Sequence, residues 1–262
     1  MAPTWHWQTW NDHPYLTVSL LADWSHGFFT SQSWPHPPEI LTQGLDEAAQ
    51  VYRVKQVHGN QVLSPEEIAP ASPDIAPAES PRPEADGVVT LASGQAVWVC
   101  SADCTPALIA DQGTGQVAAV HAGWRGTALK ILPTTIARLQ DQGSRLEDLR
   151  VALGPAIAGE VYQVSTHVAT EVGRTVAPLA IDDPAVIAEL QGWEPPPLLP
   201  DSTPGRSRLD VRQVNWRQLT QLGLAPEQVA IAPHCTYQEP ERFFSYRRTR
   251  EKKVQWSGIV SR

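Results

Sequence analysis

Three short segments of the sequence each place a histidine or a cysteine beside an apolar run. KQVHGNQV contains His58, CSADCTPAL contains Cys104 and VHAGWRG contains His121. Two imidazoles and a thiolate form a ligand set that zinc favours, and three protein ligands leave a fourth position open, as in catalytic zinc sites. Zinc lowers the pKa of a bound water to about 7, so such a site supplies a nucleophile at neutral pH.

The spacing of these candidate ligands is too long for a local metal signature, since Cys104 lies 46 residues after His58 and 17 residues before His121. Taken singly, each histidine could equally be a satisfied polar group at a strand end, and Cys104 an inert small hydrophobic residue. All three lie at connections between elements, where a rigid scaffold can direct side chains into one cleft. The residue types therefore indicate a metal site that only the fold can assemble.

Candidate anion ligands and proton carriers lie close to these segments. Arg125 opens a predicted helix, where free backbone amides and a guanidinium suit a phosphate or carboxylate, although a surface arginine is the alternative. Asp103 could orient a ligand or carry protons, or only cap a turn. Arg247 and Arg248 belong to the basic stretch RFFSYRRTREKK, which is either a solvated strand edge or tail, or a site for an anionic ligand.

The remaining cysteines and histidines carry weaker signals. Cys100 ends the apolar run AVWVC and is predicted to be a core residue. Cys235 follows His234, but adjacent residues of an extended chain point to opposite faces, which disfavours a nucleophile pair. The other histidines are predicted to be surface residues or carry no functional signal: His6, His13, His36 and His167.

Composition limits the class of protein. The chain has 262 residues, 42% of them hydrophobic, and we expect one domain over residues 1–262. Its net charge of −8 disfavours general binding to nucleic acid. Three cysteines, the absence of a secretory signal and the absence of a long apolar run predict a cytoplasmic protein without a membrane span. The oligomeric state is not predictable from these features.

The pattern of apolar residues predicts a layered α/β fold. Short apolar runs bounded by turn residues predict strands at 96–100, 106–111, 116–121, 149–154 and 228–233. Helical spacing predicts helices over 126–142 and 207–223, and Pro133 is expected to kink or restart the first. Two proline-rich segments, 65–83 and 195–204, separate these elements, and the first is predicted to be an extended surface loop. Several strands follow one another through short turns, so we expect a mixed sheet.

Eight blocks along the chain occur in an order that resembles the YfiH family, also called the laccase-domain or polyphenol-oxidase-like family. The blocks are HGFFT, KQVHGNQV, ADG, SADCTPALIAD, VHAGWRGT, LGPAI, CTY and FFSYRR, from residue 26 to residue 248. Bacterial members of this family include the peptidoglycan editing factor. The resemblance implies a three-layer α/β/α fold with a mixed sheet, of the type shared with cytotoxic necrotizing factors. It also implies that His58, Cys104 and His121 bind one metal ion, usually zinc.

The resemblance implies several activities, and the chain departs from the family at one position. Family members are described as purine nucleoside phosphorylases acting on adenosine, inosine, guanosine or methylthioadenosine, with adenosine deaminase activity. Others are described as copper-dependent phenol oxidases or as enzymes that remove misincorporated serine from cell-wall peptide precursors. The blocks also make His26 a candidate for binding the substrate or an anion. The family commonly has an arginine after HGFFT, but Ser31 stands there, so phosphate binding would depend on Arg125, Arg247 or Arg248.

We therefore expect a zinc enzyme that acts on purine nucleosides and phosphate, with Asp103 and Arg125 in catalytic roles. The alternatives are an amidase acting on a cell-wall precursor, a copper-dependent polyphenol oxidase, and a metal-stabilised binding protein without activity. Copper is the least favoured, because a multicopper oxidase needs several copper sites held mainly by histidines and this chain has only eight histidines. Cu²⁺ could still occupy the site in vitro, because it outcompetes Zn²⁺ at many nitrogen and sulfur sites.

Overall fold

Two six-stranded sheets lie face to face at the centre of the fold. The computed structural model describes residues 2–68, 82–178 and 182–262. Its strands are β1 (Trp5–Trp10), β2 (His13–Val18), β3 (His26–Phe29), β4 (Gln50–Arg53), β5 (Val62–Leu63), β6 (Gly87–Val89), β7 (Gln95–Ser101), β8 (Thr105–Asp111), β9 (Val117–Ala122), β10 (Leu149–Leu153), β11 (Gln163–Ser165), β12 (Leu198–Pro200), β13 (Arg206–Leu209), β14 (Val229–Ile231) and β15 (Gln255–Val260).

Both large sheets are mixed. The first sheet has the order β1-β2-β3-β15-β7-β4, and only its β4–β7 pair is parallel. The second has the order β14-β10-β8-β9-β6-β5, with parallel pairs at both edges and antiparallel pairs between them. A small antiparallel sheet has the order β11-β13-β12. The turn from β7 to β8 therefore carries the chain from one large sheet to the other.

The helices lie outside the two facing sheets. They are α1 (Pro38–Leu41), α2 (Pro65–Ile68), α3 (Trp124–Ala128), α4 (Ile131–Asp141), α5 (Thr166–Gly173), α6 (Asp183–Gln191), α7 (Val211–Gln221) and α8 (Tyr246–Thr249). Short 3-10 helices span Ser19–Leu21, Ser31–Ser33, Thr42–Gly44, Leu146–Asp148, Gly159–Val161 and Pro226–Gln228. Among the residues that the structure describes, no helix combines the length and apolar character that a membrane crossing requires.

The central strands of the second sheet are buried on both faces. In β8, Leu108 faces the core between the two sheets, whereas Ile109 faces the helices. Helix α4 covers that second face with Leu132, Ile136 and Leu139, which recur at three- to four-residue spacing along one side of the helix. Burial on both sides explains why these strands have continuous apolar runs rather than an alternating pattern.

The predicted fold class is confirmed, and so are the five predicted strands to within a residue or two at each end. Helices cover the outer faces, as an α/β/α arrangement requires, but the middle layer consists of two facing sheets. The predicted restart near Pro133 is also confirmed. Helix α3 ends at Ala128, Lys130 adopts a left-handed conformation with φ of 59°, and α4 begins at Ile131. Pro133 then lies in the first turn of α4, where backbone N–H groups have no helical acceptor.

Two predicted segments differ in the structure. The helix predicted over 207–223 begins only at Val211, because the carboxylate of Asp210 caps it by accepting hydrogen bonds from the N–H groups of Arg212 and Gln213. The residues before Asp210 form strand β13 instead. Part of the proline-rich segment 195–204 forms β12, and the start of 65–83 forms α2. Most of 65–83 lies outside the described residues.

Candidate metal centre

The three candidate metal ligands come from three different connections and meet at one end of the two sheets. Cys104 lies in the turn between β7 and β8, His121 lies on β9, and His58 lies in the connection between β4 and β5. Their ligand atoms all lie within 4.8 Å of one another. The two imidazole rings have centroids 4.9 Å apart and cross at 77°. The fold therefore brings together the trio that the sequence predicts, and we call it the metal end.

Sheet register explains part of this arrangement. Strands β8 and β9 are antiparallel neighbours, and His121 pairs with Pro106, two residues after Cys104. Two of the ligands are thus placed by adjacent, fully buried strands. His58 is brought to them by a loop, in which its backbone is left-handed with φ of 63°. Such a conformation is unfavourable for a residue other than glycine and persists only where the surroundings hold it.

Asp86 supplies the contacts that hold this loop. One of its carboxylate oxygens accepts the backbone N–H of His58 at 2.9 Å, and the other accepts the N–H of Gly59 at 2.7 Å and that of Val57 at 3.1 Å. The same carboxylate accepts a hydrogen bond from Nδ1 of His121 at 2.8 Å. Asp86 is fully buried, and it fixes the positions of two of the three ligands at once.

The pKa values at the metal end couple Cys104 to His121 and give Cys104 the thiolate form. Burial alone would raise the pKa of Cys104, but the charge of His121 and its hydrogen bond, with help from His58, lower it to about 6. Burial alone would lower the pKa of His121, but the Cys104 thiolate and Asp86 raise it to about 9. Burial would also raise the pKa of Asp86, yet the bonds from His121 and Gly59 hold it below its usual range. Thiolate is the form of cysteine that binds metals.

The nearby Cys100 has the opposite character, although it also lines the cavity. Burial raises the pKa of its thiol to about 12, so it stays protonated. Its backbone forms two hydrogen bonds with the side-chain amide of Gln56, at 2.7 and 2.8 Å, which attach the segment before His58 to β7. Cys100 was predicted to be a core residue, but it is only partly buried at the cavity, and it is not part of the ligand cluster.

Gly123 is the residue that lets helix α3 begin beside the thiolate. Its φ of −70° is open to any residue, so the conformation does not require glycine. Space does, because a Cβ atom there would lie 2.7 Å from Sγ of Cys104 and 3.7 Å from the ring of His58. The glycine in VHAGWRG is therefore explained by close approach to the metal ligands.

The metal end opens into a cavity of about 550 Å³. The same cavity is also lined by cationic side chains and one carboxylate of a second group, which we call the cationic rim: Arg125, Arg247, Arg250, Glu251, Lys252 and Lys253. Glu251 forms an ion pair with Lys253 at 2.9 Å. In a chain with a net charge of −8, this local excess of positive charge focuses attraction for anions at one opening.

Three arginines of the cationic rim lie over aromatic rings that line the same cavity. The guanidinium of Arg125 is 4.5 Å from the ring centroid of Trp124, that of Arg247 is 4.8 Å from Tyr162, and that of Arg250 is 5.6 Å from Tyr246. Stacking of this kind orients an arginine while leaving the N–H groups at its edge able to bind a ligand. Arg125 is exposed, and its guanidinium forms no ion pair or hydrogen bond with the described residues.

Two of the other predicted site residues line the cavity. Both oxygens of Asp103 are already bonded, one to the hydroxyl of Thr236 at 2.8 Å and the other to the backbone N–H of Arg247 at 2.7 Å. Asp103 therefore attaches the C-terminal segment next to the metal end, and its predicted role in proton transfer stays a prediction. Arg247 also donates from its guanidinium to the carbonyl of Gln163 at 2.8 Å, and its other guanidinium N–H groups have no hydrogen-bond acceptor among the described residues.

Two predicted anion ligands have structural roles instead. Arg248 is not a residue of the cavity wall, because its guanidinium donates to the carbonyls of Thr236, Tyr237 and Phe243. His26 lines a different cavity. Its Nε2 accepts the N–H of Val18 at 2.9 Å and its Nδ1 donates to the carbonyl of Trp24 at 2.8 Å. Burial lowers the pKa of His26, so the ring is neutral and has no donor left for an anion.

The presence of Ser31 where the family commonly has an arginine is compatible with these positions of the arginines. Ser31 begins a 3-10 helix and donates its backbone N–H to the carbonyl of Arg242 at 2.8 Å, and it is not among the residues that line the metal cavity. Of the three arginines that the sequence offers in its place, Arg125 and Arg247 reach the cavity.

Sequence reasoning assigned no role to two residues that shape the site. Asp86 lies in the ADG block, so its position was marked by the resemblance, but its four hydrogen bonds depend on contacts between distant segments. Tyr162 lies in the cavity wall through the fold of the segment after β10, and no local pattern distinguishes it from an ordinary core tyrosine.

Comparison with known proteins defines the class. The chain belongs to the multi-copper polyphenol oxidoreductase laccase family, whose family model matches residues 39–260. It is similar to a purine nucleoside phosphorylase of Synechocystis sp., with 53% identity over 98% of this chain and 97% of the relative. It is also similar to the adenosine deaminase RL5 of an unknown prokaryotic organism, with 27% identity over 67% of this chain and 61% of the relative.

The fold is that of a solved YfiH protein. The crystal structure of the hypothetical protein YfiH of Bacillus licheniformis matches 97% of this chain and 100% of its own, with a TM-score of 0.75 and 22% identity. At 22% identity, this match shows the fold alone. Together with the family match over residues 39–260 and the 53% identity to the Synechocystis relative, it confirms the resemblance to the YfiH family that the sequence blocks indicate.

Proposed function

We propose that the protein is a zinc-dependent purine nucleoside phosphorylase. The observation that carries the proposal is the cavity itself, because its lining combines three side chains that could hold a metal ion with the cationic rim. A nucleoside and a phosphate are the two substrates that such a cavity suits. The name of the Synechocystis relative supports the same activity.

The donor set fits zinc. Two imidazoles and a thiolate with an open fourth position are typical of catalytic zinc sites, and Asp86 orients His121 as outer carboxylates do in such sites. When bound, zinc supplies a Lewis acid that polarises an oxygen atom and makes a bound water more acidic. In the part of the chain that the structure describes, this trio is the one group of three potential ligands that lies close enough for a metal ion, which does not support multi-copper chemistry.

The cationic rim would hold phosphate for attack on the ribose. Arg125 and Arg247 present guanidinium groups, whose paired donors match phosphate oxygens. In phosphorolysis, a phosphate oxygen forms a bond to C1′ of the ribose while the bond from C1′ to N9 of the purine breaks. The purine leaves with the bonding electrons and takes up a proton. Positioning of the two reactants in one cavity supplies much of the rate enhancement.

Adenosine deamination is a second candidate activity of the same cavity. The observation that favours it is the similarity to a protein named adenosine deaminase, although the identity is low. In that reaction water replaces the amino group at C6, and ammonia is released. The two activities need the same nucleoside site, but only phosphorolysis needs phosphate.

The test is a product analysis with zinc-loaded protein. Phosphorolysis predicts that inosine and phosphate give hypoxanthine and ribose 1-phosphate, and that no base is released when phosphate is left out. Deamination predicts that adenosine gives inosine and ammonia without phosphate. Protein with Cys104→Ala is the matched control and should show neither reaction.

If the protein releases no base from adenosine, inosine, guanosine or methylthioadenosine, the proposal is overturned. Metal analysis of protein purified without added metal tests the zinc assignment separately. A full complement of copper in that sample, with activity lost on exchange for zinc, would contradict it.

A further inference from the structure

Tyr162 is a tyrosine of the cavity wall whose hydroxyl is free to bind a ligand. Its side chain is partly buried against the core formed by α5, α6 and β13. Its hydroxyl forms no hydrogen bond with any residue in the described parts of the chain, although it shares the cavity with the metal end. A partly buried polar group of this kind usually finds a partner, and the cavity that Tyr162 lines is where a ligand could supply one.

The backbone of Tyr162 is fixed on both sides. Its N–H donates to the carbonyl of Gly159 at 3.2 Å, and its carbonyl accepts the N–H of Leu209 at 3.1 Å. The guanidinium of Arg247 covers the ring and is itself held by Gln163. Because both the backbone and the ring face are constrained, the direction of the hydroxyl is set before a ligand arrives, which lowers the entropy cost of binding.

The hydroxyl is a donor throughout the physiological pH range. Burial raises the pKa of Tyr162 to about 12, with a further contribution from the negative charge of Cys104. The phenol therefore stays neutral beside the thiolate, and its natural partner is an uncharged or anionic acceptor atom of the ligand.

We propose that the hydroxyl of Tyr162 donates a hydrogen bond to N7 of the purine. This inference rests on the proposed phosphorylase function. When the bond from C1′ to N9 breaks, the purine gains an electron pair that is shared within its five-membered ring, which contains N7 and N9. Because the ribose is attached at N9, N7 is the acceptor of that ring which remains accessible. A donor fixed in place at N7 would therefore bind the free base and favour its departure.

The test compares hypoxanthine with 7-deazahypoxanthine, which has C–H in place of N7. Calorimetry should show that the zinc-loaded wild-type protein binds hypoxanthine about tenfold more tightly, the effect of one hydrogen bond with a dedicated donor. Tyr162→Phe removes the hydroxyl but keeps the ring beneath Arg247. We expect it to bind both bases equally, with unchanged zinc content and melting temperature. Tyr15→Phe, a partly buried tyrosine that stacks on Phe29 away from this cavity, should keep the wild-type ratio.

The outcomes separate this inference from the proposed function. If Tyr162→Phe keeps the wild-type preference for hypoxanthine, or if the wild-type protein binds the two bases equally, the inference is overturned even when inosine is phosphorolysed. If the preference is present and lost in Tyr162→Phe while no phosphorolysis occurs, the inference stands and the phosphorylase proposal fails. If the wild-type protein binds neither base, the proposed contact between Tyr162 and a purine is contradicted.

Discussion

The metal end and the cationic rim, which we call the two walls of the cavity, are held in different ways. At the metal end, buried strands and the four hydrogen bonds to Asp86 hold the ligands, and His58 keeps a left-handed backbone as a result. At the cationic rim, arginines lie over aromatic rings, and the side chains of Arg125, Arg250 and Lys252 form no hydrogen bond or ion pair with the described residues.

The difference corresponds to what each wall has to bind. A metal ion needs ligands at fixed distances, so the protein fixes them in advance at the cost of local strain. An anionic substrate has to be attracted from water and released again, so donors that are oriented but not bonded are more suitable. We therefore expect substitutions at the metal end to abolish function, and substitutions at the rim to change affinity.

His58→Ala should have the largest effect. His58 is an exposed candidate ligand, so its removal should reduce kcat/KM by about 100-fold or more through loss of metal, while the melting temperature changes little. Metal analysis, turnover of inosine and thermal unfolding would be measured together. The exposed His167 provides the control as His167→Ala. Unfolding of His58→Ala at a much lower temperature would mean that the metal is structural, and the contrast between the walls would then be wrong.

Asp86→Asn should weaken the metal end without removing a ligand. An amide nitrogen would face backbone N–H groups or Nδ1 of His121, so we expect a 10- to 100-fold loss of zinc affinity, measured by competition with a chelator. Asp111→Asn is a matched control, because Asp111 is also fully buried and accepts two backbone N–H groups, in a turn after β8. Equal zinc affinity of the wild type and Asp86→Asn would refute the role of Asp86.

The same contrast explains what could be predicted from the sequence. His58, Cys104 and His121 were recognisable because their residue types limit them to few roles and because the blocks around them resemble a family. Asp86 received no role because its four hydrogen bonds join segments that are distant in the sequence. Arg125 and Arg248 were both predicted to be anion ligands. The sequence around an arginine does not show whether its guanidinium lines a cavity, as in Arg125, or donates to three carbonyls, as in Arg248.

Arg125→Gln should have a moderate effect that is specific for phosphate. Loss of one charged hydrogen-bonding group should raise the KM for phosphate about tenfold and leave the KM for inosine and the melting temperature nearly unchanged. Steady-state kinetics at two salt concentrations would measure this, because screening should weaken phosphate binding by the wild type more than by the variant. Arg145→Gln, at an exposed arginine paired with Asp148, is the control. A lower kcat with unchanged KM for phosphate would place Arg125 in another role.

The smallest expected effect concerns pH and metal-free protein. The raised pKa of His121 contributes stability that is complete below its ordinary value of 6.5 and is lost as pH rises through about 9. The lowered pKa of Cys104 contributes stability that is complete above its ordinary value of 9.0 and is lost as pH falls through about 6. The two contributions have opposite slopes because the proton moves from one group to the other and the number bound hardly changes. By linkage, the free energy of unfolding should then change by less than about 1 kcal/mol between these limits on account of this pair.

The exchange of the proton is nevertheless visible in the folded protein. The ultraviolet absorbance of one thiolate should appear near pH 6 in metal-free protein, whereas Cys100 should remain a thiol up to about pH 12. His121→Gln removes the positive charge and should move the thiolate step to higher pH. A first thiolate step near pH 9 in the wild type would show that Cys104 and His121 do not form an ion pair, and the metal end would then lack the thiolate that distinguishes it from the rim.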